Sequence, residues 1–271
     1  MHRMDLKELV FLKLGGSLIT DKDSPRTARP DILAGLAEEI AAARRAHPDL
    51  LLVLGHGSGS FGHIPARKHG TRQGVRDAQE WLGFAEVWRE ARALNEIVVG
   101  ALTAVGLPVI AFPPSAGVTS RQGQLQRWDL APLRAALNAG LVPLVNGDTI
   151  FDEQRGGTIL STEDLFIFLA HHLRPTRILL AGREAGVWAD YPACTRLIPE
   201  ITPANFDSLA ALIRGSASVD VTGGMLEKVR TMLELASSLP GFAASIFSGL
   251  EPGQVRGAMM GAYPGTTIHR S

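Results

Sequence analysis

Short apolar runs alternate with longer amphipathic segments along most of this chain. Each apolar run is strand-length and is bounded by glycine, proline or polar residues, which is typical of a buried β-strand. The longer segments carry apolar residues three and four positions apart, which predicts helices. The pattern predicts strands at 9–14, 50–54, 107–112, 141–146, 177–181, 244–248 and 266–269.

The segments between these runs predict the helices. They span Pro30 to about His47, Ala78–Val105, Ala131–Asn138, a segment that follows Ser161, Pro203–Arg214, and a segment that opens near Val219 and carries Lys228. Strands that alternate with helices of this length predict an α/β fold, an open αβα sandwich with a mostly parallel central sheet. We expect a single domain over 1–271, with any boundary between its halves at 148–157.

Charge and cysteine content narrow the functional classes. The 27 basic residues equal the 27 acidic residues in number, so neither nucleic acid nor a membrane surface is an expected partner. Cys194 is the single cysteine, which excludes an intrachain disulfide and fits a reducing cytoplasm. The first apolar run has strand length, so we expect neither a signal peptide nor a membrane span there.

A glycine-rich stretch at 55–63, with sequence GHGSGSFGH, follows the second predicted strand. Its backbone amides could converge on an oxyanion such as phosphate, and His63 could donate to the same anion. The alternative is a tight strand-to-helix turn whose glycines supply positive φ angles. Residues 57–62 spell G-x-G-x-x-G, but 75–105 looks helical, where a dinucleotide site needs a second strand that ends in an acid. The P-loop pattern G-x-x-x-x-G-K-[ST] is absent from the sequence.

Lysine is rare in this sequence, and its positions are informative. Only five of the 27 basic residues are lysines, namely Lys7, Lys13, Lys22, Lys68 and Lys228. Three of the five lie beside glycine motifs, where a flexible ammonium can follow a phosphoryl group during transfer. Lys13, at the end of a buried strand, is therefore a candidate phosphate ligand; the alternative is an edge residue that extends its ammonium into water.

The predicted helix at 78–105 carries an aromatic and apolar stripe that includes Trp81, Phe84, Val87 and Trp88. Such a stripe either packs into the core or forms the wall of an apolar ligand pocket. The stripe follows the glycine-rich stretch closely, so Phe84, Val87 and Trp88 are candidates for the wall of a pocket.

Four motifs together resemble the amino acid kinase superfamily, and among its members the isopentenyl phosphate kinases. The motifs are LKLGGSLIT at 12–20, GSGSFGH at 57–63, NGD at 146–148 and DVTGGMLEK at 220–228, and the resemblance runs from about 10 to 268. The Ser-Phe-Gly-His ending is the most discriminating of them. The resemblance implies the amino acid kinase fold and ATP-dependent phosphorylation of isopentenyl phosphate to isopentenyl diphosphate with Mg²⁺.

The resemblance also implies roles for individual residues. Lys13 would contact the phosphates in transfer, Lys22 would stabilise the transition state, and His63 would hold the acceptor phosphate. The acceptor would lie at Gly57, Ser58, His63 and Gly147, with its tail against Phe84, Val87 and Trp88. The nucleotide would contact Lys13, Gly15, Gly16, Ser17, Gly59, Gly182, Gly186, Gly224 and Lys228. No residue is assigned as a metal ligand.

The family resemblance further implies an acceptor lobe at about 1–150, a nucleotide lobe at about 151–271, and a homodimer. Two departures leave questions open. Arg183 and Ala185 replace acids of the family's nucleotide loop, and the acid at the start of the helix after Ser161 is either Glu163 or Asp164. Two alternatives also stay open: a kinase for fosfomycin or another small acid, and a non-catalytic nucleotide- or anion-binding protein of the same fold.

Overall fold

A sheet of eight strands forms the centre of the molecule. In the computed structural model, which describes residues 7–21, 24–214 and 224–270, the order of its strands is β12-β14-β13-β9-β1-β2-β6-β3. Neighbouring strands run parallel except for β13 and β14, which are antiparallel. The strands are β1 Leu9–Leu14, β2 Leu51–His56, β3 Val109–Ala111, β6 Val142–Asn146, β9 Arg177–Gly182, β12 Glu200–Ile201, β13 Ala243–Ser248 and β14 Thr266–His269. The predicted α/β class with a mostly parallel sheet is confirmed.

Helices cover both faces of this sheet. The helices are α1 Gly16–Ile19, α2 Pro30–Ala46, α3 Gly59–His69, α4 Ala78–Ala104, α5 Ala131–Asn138, α6 Thr162–Leu173, α7 Phe206–Arg214, α8 Gly224–Ser238 and α9 Gln254–Met259. One hydrophobic core lies between the sheet and α2, α4 and α9, and the other lies between the sheet and α5 to α8. The layered arrangement predicted from the sequence is therefore present.

Side-chain alternation along β1 decides which core each of its residues enters. Val10, Leu12 and Leu14 pack into the core beside α2 and α4, whereas Leu9 and Phe11 pack into the core beside α6 and α8. Successive strand residues point to opposite faces, so Lys13 shares the face of Leu9 and Phe11. Its ammonium is thereby directed towards α6 and α8.

A smaller sheet of four strands was not predicted from the sequence. Its order is β5-β4-β7-β8, with β4 Val118–Arg121, β5 Gln124–Trp128, β7 Asp148–Asp152 and β8 Gly156–Leu160. A two-stranded pair, β10 Val187–Trp188 and β11 Leu197–Ile198, was also missed. These strands are short and several are polar, so they lack the continuous apolar runs that mark the central strands.

The glycine-rich stretch is more helical than predicted, because α3 begins inside it at Gly59 and runs to His69. Two glycines and Pro65 disfavour helix in isolation. Burial of Phe61 and Pro65 shows how packing against the rest of the molecule compensates. No helix in the described ranges combines the length and the apolar character that crossing a membrane requires.

Candidate active site

Five parallel strands reach glycines at one edge of the central sheet. Gly15 follows β1, Gly57 follows β2, Gly147 follows β6, Gly182 ends β9 and Gly249 follows β13. The strands that lead to these residues are neighbours in register, so their carboxyl ends lie side by side. Ligands of open α/β sheets bind at this edge, and glycine leaves the backbone accessible to them. We call these five residues the glycine edge.

The first two glycine segments interlock at the glycine edge. The Gly57 amide donates to the Leu14 carbonyl at 3.0 Å. A Cβ atom on Gly57 would lie 2.7 Å from the Gly16 nitrogen, and one on Gly16 would lie 2.7 Å from the Gly59 Cα. These segments, with Ser17 half-buried beside them, approach too closely for any side chain larger than hydrogen.

Backbone angles and close contacts show why glycine occupies several positions of the glycine-rich stretch. Within 55–63, all of which the structure describes, Gly59 alone has a positive φ, of 49°. Gly55 and Gly57 are instead positions at which a Cβ would collide with neighbouring atoms. Positive φ therefore accounts for Gly59 alone, and close packing accounts for Gly55 and Gly57. Binding of an anion by the amides of this stretch stays a prediction.

Glu163 brings two of the predicted lysines together. Lys13, which is 9% exposed, forms an ion pair through its Nζ with Glu163 Oε1. The Lys228 Nζ lies 3.8 Å from the same oxygen. Lys13 comes from the first strand and Lys228 from α8, so one carboxylate joins the two ends of the chain at the glycine edge.

The ionisation of Glu163 depends on these lysines. Burial by itself would raise the pKa of the Glu163 carboxyl, but the positive charges of Lys13 and Lys228 outweigh it and lower the pKa to about 2. Glu163 also lies in the first turn of α6, where the helix dipole favours a negative charge. The site therefore holds two ammonium groups around a carboxylate that stays ionised at neutral pH.

Asp164 has a different task, which settles the choice that the sequence left open. Its Oδ2 accepts from the Ser161 amide at 2.7 Å and from the Ser161 hydroxyl at 2.8 Å, and its own amide donates to Ser161 Oγ at 3.1 Å. These contacts form a capping box at the start of α6. Asp164 thus stabilises the helix, and Glu163 is the acid that orients the lysines.

Two of the predicted acceptor residues, His63 and Gly147, follow the neighbouring strands β2 and β6. His63 is half-buried and lies on α3, four residues after Gly59. Gly147 is buried, and its amide donates to Thr162 Oγ1 at 3.0 Å. Thr162 immediately precedes Glu163, so Gly147 is linked to the helix end that carries the lysine-binding carboxylate.

Residues 8–242 match the family model described as the amino acid kinase family. The chain belongs to the amino acid kinase family. The family resemblance that the four motifs predicted is confirmed.

Relatives of similar length support this assignment. Isopentenyl phosphate kinase of Methanocaldococcus jannaschii is 31% identical over 96% of this chain and 98% of its own length. Isopentenyl phosphate kinase of Haloferax volcanii is 37% identical over 96% of this chain and 98% of its own length. A solved structure of isopentenyl phosphate kinase superposes with a TM-score of 0.81 and 29% identity, and covers 96% of this chain and 100% of that one.

The glycines predicted to bind the nucleotide in this amino acid kinase lie in several different places. Gly15 and Gly182 are neighbours, because a Cβ on Gly15 would lie 3.5 Å from the Gly182 Cα. Gly186 packs against Thr266, whose hydroxyl oxygen would lie 2.7 Å from a Cβ at that position. Gly224, with φ of 72°, is the first described residue of α8. The binding roles assigned to these glycines stay predictions.

Two predicted features of the amino acid kinase lie wholly or partly outside the described residues. Lys22 is outside them, and so is 220–223 of the last motif.

Arg183 and Ala185, which replace acids of the family's nucleotide loop, are exposed after β9. Their exposure leaves both side chains in contact with solvent at the end of the strand that precedes Gly186.

The predicted tail-binding residues occupy two kinds of environment. Phe84 and Val87 are buried. Phe84 packs in an aromatic cluster, edge-on to Trp81 and tilted against Phe151, at centroid distances of 5.2 and 5.4 Å. Trp88 is 38% exposed and donates through Nε1 to Ser115 Oγ at 3.2 Å. The aromatic stripe on α4 therefore packs partly into the core, as one of the two interpretations proposed.

Metal binding by this amino acid kinase must be judged from the donor groups at the glycine edge. Across the described residues, no group of three or more His, Cys, Asp or Glu side chains is arranged to hold a metal ion. Glu163 is already paired with two lysines. Kinases commonly bind Mg²⁺ mainly through the phosphate oxygens of the nucleotide, and binding of this kind would require few protein ligands here.

The sequence left the choice between Glu163 and Asp164 open, although a signal that distinguishes them was present. In the segment Ser161-Thr162-Glu163-Asp164, the capping-box spacing assigns Asp164 to the helix cap. The other acid of the first turn is then available for the lysines. His56 and Asn95, which are hydrogen-bonded to each other in the interior, carry no comparable local signal.

Proposed function

We propose that this chain transfers the γ-phosphoryl group of ATP to isopentenyl phosphate and releases isopentenyl diphosphate and ADP. One observation carries the proposal: a single ionised carboxylate, Glu163, holds Lys13 and Lys228 together at the glycine edge. Relatives that match nearly the whole chain are named for this activity.

The reaction places most of its demands on positioning and charge. An oxygen of the acceptor phosphate attacks the γ-phosphorus, a new P–O bond forms, and the bond from that phosphorus to the β–γ bridging oxygen breaks. Both reactants are anions, so the protein must align them and neutralise their repulsion. The acceptor oxygen is already ionised near neutral pH, so no strong general base is required.

The lysines supply the positive charge for this transfer. We propose that Lys13 contacts the transferring phosphoryl group and that Lys228 contacts the nucleotide phosphates. Glu163 keeps both ammonium groups on the same side of the sheet and limits their mutual repulsion when the phosphates are absent. Mg²⁺, bound to the nucleotide phosphates, would neutralise further negative charge in the transition state.

We propose that His63 and the peptides of Gly57, Ser58 and Gly147 bind the acceptor phosphate. A histidine donor strengthens beside a phosphate because the anion favours the protonated ring. The hydrocarbon tail would extend towards α4, with Phe84, Val87 and Trp88 forming its wall. Gly157 packs so closely on Phe84 that a Cβ there would lie 2.8 Å from the ring, which fixes the ring against β8.

We also propose that the chain forms a homodimer in the cytoplasm. Exposed apolar side chains on α4 and on the edge strand β3 support the dimer; Leu82 is 65% exposed, Ile97 40% and Ile110 40%. The single cysteine is consistent with a reducing compartment. Light scattering on the purified protein should give twice the chain mass, and the monomer mass of 29.0 kDa would contradict the dimer.

The experiment that tests the proposed function compares acceptors under identical conditions. The purified chain is incubated with Mg-ATP and isopentenyl phosphate, fosfomycin or glutamate, and the phosphorylated products are separated and quantified. We expect isopentenyl phosphate to give the highest kcat/KM. Equal or better turnover of fosfomycin or of a carboxylate would contradict the acceptor assignment.

A further inference from the structure

Three buried polar side chains lie directly behind the glycine edge and take no direct part in the proposed transfer. His56 ends β2, Asn146 ends β6, and Asn95 lies in the middle of α4; they are 0%, 5% and 9% exposed, respectively. His56 and Asn146 are partners in the register of the sheet. Burial of polar groups is costly unless they are hydrogen-bonded, so each of these side chains needs partners.

The hydrogen bonds of these three side chains form a continuous network in which the donor and the acceptor of each bond can be assigned. Asn146 Nδ2 donates to the Gly147 carbonyl at 3.0 Å, which leaves Asn146 Oδ1 to accept from Asn95 Nδ2 at 3.3 Å. The second hydrogen of Asn95 Nδ2 points to His56 Nε2, 3.0 Å away. The Nε2 atom must therefore accept, since both groups cannot donate. The ring proton is then on Nδ1, which donates to the Gly57 carbonyl at 3.1 Å.

Burial keeps the His56 ring in this neutral form. Desolvation lowers the pKa of His56 to about 4, the Gly57 carbonyl opposes that shift, and the charge of Lys13 adds to it. A protonated ring would place an Nε2–H group against the amide hydrogens of Asn95. The order of donors in the network is therefore fixed at neutral pH.

Both ends of the network are carbonyl groups of the glycine edge. A planar trans peptide directs its carbonyl and the following N–H to opposite sides. His56 holds the Gly57 carbonyl inward, so the Ser58 N–H is directed away from the network. Thr162 Oγ1 adds a further link, because it donates to the His56 carbonyl at 2.6 Å and accepts from the Gly147 amide at 3.0 Å.

We infer that His56 is a positioning residue that, through Asn95 and Asn146, fixes the orientation of the Gly57 and Gly147 peptides for binding of the acceptor phosphate. The inference rests on the proposed function, because it assigns those peptides to the acceptor. It gives His56 no contact with substrate. The hydrogen bond from Nδ1 to the Gly57 carbonyl is the part of the network that carries the effect.

Two substitutions at His56 separate this role from a general need for packing. In His56→Asn the side-chain NH₂ can occupy the place of Nδ1 and keep the bond to the Gly57 carbonyl. In His56→Gln the amide reaches the place of Nε2 instead, so the bond to Gly57 is lost. Loss of one such hydrogen bond should raise the KM for isopentenyl phosphate about tenfold in His56→Gln, with the KM for ATP within about twofold. His56→Asn should keep the acceptor KM within about threefold of wild type.

Nuclear magnetic resonance of the wild-type ring supplies a test that does not depend on the variants folding. The ¹⁵N shifts of His56 at neutral pH should show a neutral ring with its proton on Nδ1. A proton on Nε2, or equal acceptor KM values in wild type and His56→Gln, would overturn the inference. So would parallel rises in the KM values for ATP and acceptor, since these indicate a general packing defect.

A failure of the proposed kinase function would give a different experimental result from a failure of the positioning role of His56. Wild-type protein that does not phosphorylate isopentenyl phosphate contradicts that function directly. The two variants would then be compared by titrating inorganic phosphate and following the Ser58 and Gly59 amide resonances. Weaker phosphate binding in His56→Gln alone would still support the positioning role, and equal binding in both variants would contradict it.

Discussion

Glu163 is the single side chain whose loss we expect to disturb the site most. Glu163→Gln keeps the size of the side chain but removes the charge between Lys13 and Lys228, so the two ammonium groups repel and separate. We expect kcat for phosphoryl transfer to fall by about 10-fold to 1000-fold, the range typical of misplaced transition-state charges. Steady-state kinetics with saturating Mg-ATP measure this directly.

Asp164→Asn is the matched control, because it alters the neighbouring acid without touching the lysines. It weakens the capping box with Ser161 and the ion pair with Arg72, whose Nη2 lies 3.8 Å from the carboxylate. We expect a loss of about 1 kcal/mol in the free energy of unfolding, with kcat within about threefold of wild type. A larger fall in kcat for Asp164→Asn than for Glu163→Gln would reverse the two assignments.

The depressed pKa of Glu163 also predicts how stability depends on pH. The folded-state pKa of about 2 lies below the ordinary value of 4.5, so the ionised carboxylate stabilises the folded state above pH 4.5. This contribution is lost as the pH falls from 4.5 towards 2. Denaturation of wild type and Glu163→Gln over this range should show the wild-type advantage shrinking. A difference that stays constant with pH would contradict the ion-pair account.

Lys22 lies outside the described residues, so its role rests on the family resemblance. If its charge acts mainly in the transition state, Lys22→Ala should lower kcat by about one to three orders of magnitude and change the two KM values little. A non-catalytic nucleotide-binding protein predicts ATP binding without transfer in both wild type and variant. Unchanged kcat in an active enzyme would remove Lys22 from the mechanism.

Residue chemistry made part of the site predictable. Lysine is rare here, so Lys13 and Lys228 stand out among the many arginines of the sequence. The partner of these lysines was harder to identify, because two adjacent acids begin the same helix. His56 and Asn95 could not be found at all, since their hydrogen bond joins residues that are 39 positions apart in the chain.

At the scale of elements, the turn from β1 to α1 passes very close to the turn from β2 to α3. We expect that neither turn can accept a side chain at the point of contact. Gly16→Ala would place a Cβ against the backbone of Gly59, where neither segment can move aside without displacing its strand. We expect a destabilisation of about 2 kcal/mol or more and a loss of most activity. Thermal unfolding and the transfer assay measure the two effects.

Gly35→Ala supplies the control for that substitution. Gly35 lies in α2, is exposed, and has no atom within 4 Å of a Cβ built on it. Alanine there should raise the free energy of unfolding by about 0.5–1 kcal/mol and leave activity unchanged. If Gly16→Ala and Gly35→Ala had equal effects on stability and activity, the close approach at Gly16 would not be required for either property.

Elements with strong periodicity were predictable, and those shaped by distant contacts were not. Seven of the eight central strands and the long α4 followed from apolar runs and helical spacing alone, whereas the two-residue strand β12 did not. The hairpin from β4 to β5 contains polar residues such as Gln124 and Arg127, and its pairing with β7 depends on a segment later in the chain. Helix α3 was missed because its glycines and proline oppose helix locally.

At the scale of the whole molecule, the central sheet explains how remote motifs form one site. Strand β1 pairs with β2 from the first half of the chain and with β9 from the second half. Lys13 therefore lies on the central strand, where α6 and α8 can both reach it. Sequence patterns predict seven of these eight strands, but they do not state which strands pair. The family resemblance, and not the pattern, placed Lys13 and Lys228 at one site, and the structure adds Glu163 as their shared partner.

The most direct test of this account is a ³¹P magnetic resonance time course of wild type with Mg-ATP and isopentenyl phosphate, run beside Lys13→Ala. We predict that wild type consumes the γ-phosphate signal of ATP and the monophosphate signal together, in equal amounts, while ADP and a new diphosphate appear. Lys13→Ala should be slower by about 100-fold or more. ATP loss at the same rate without the acceptor, or unchanged transfer by Lys13→Ala, would contradict the account.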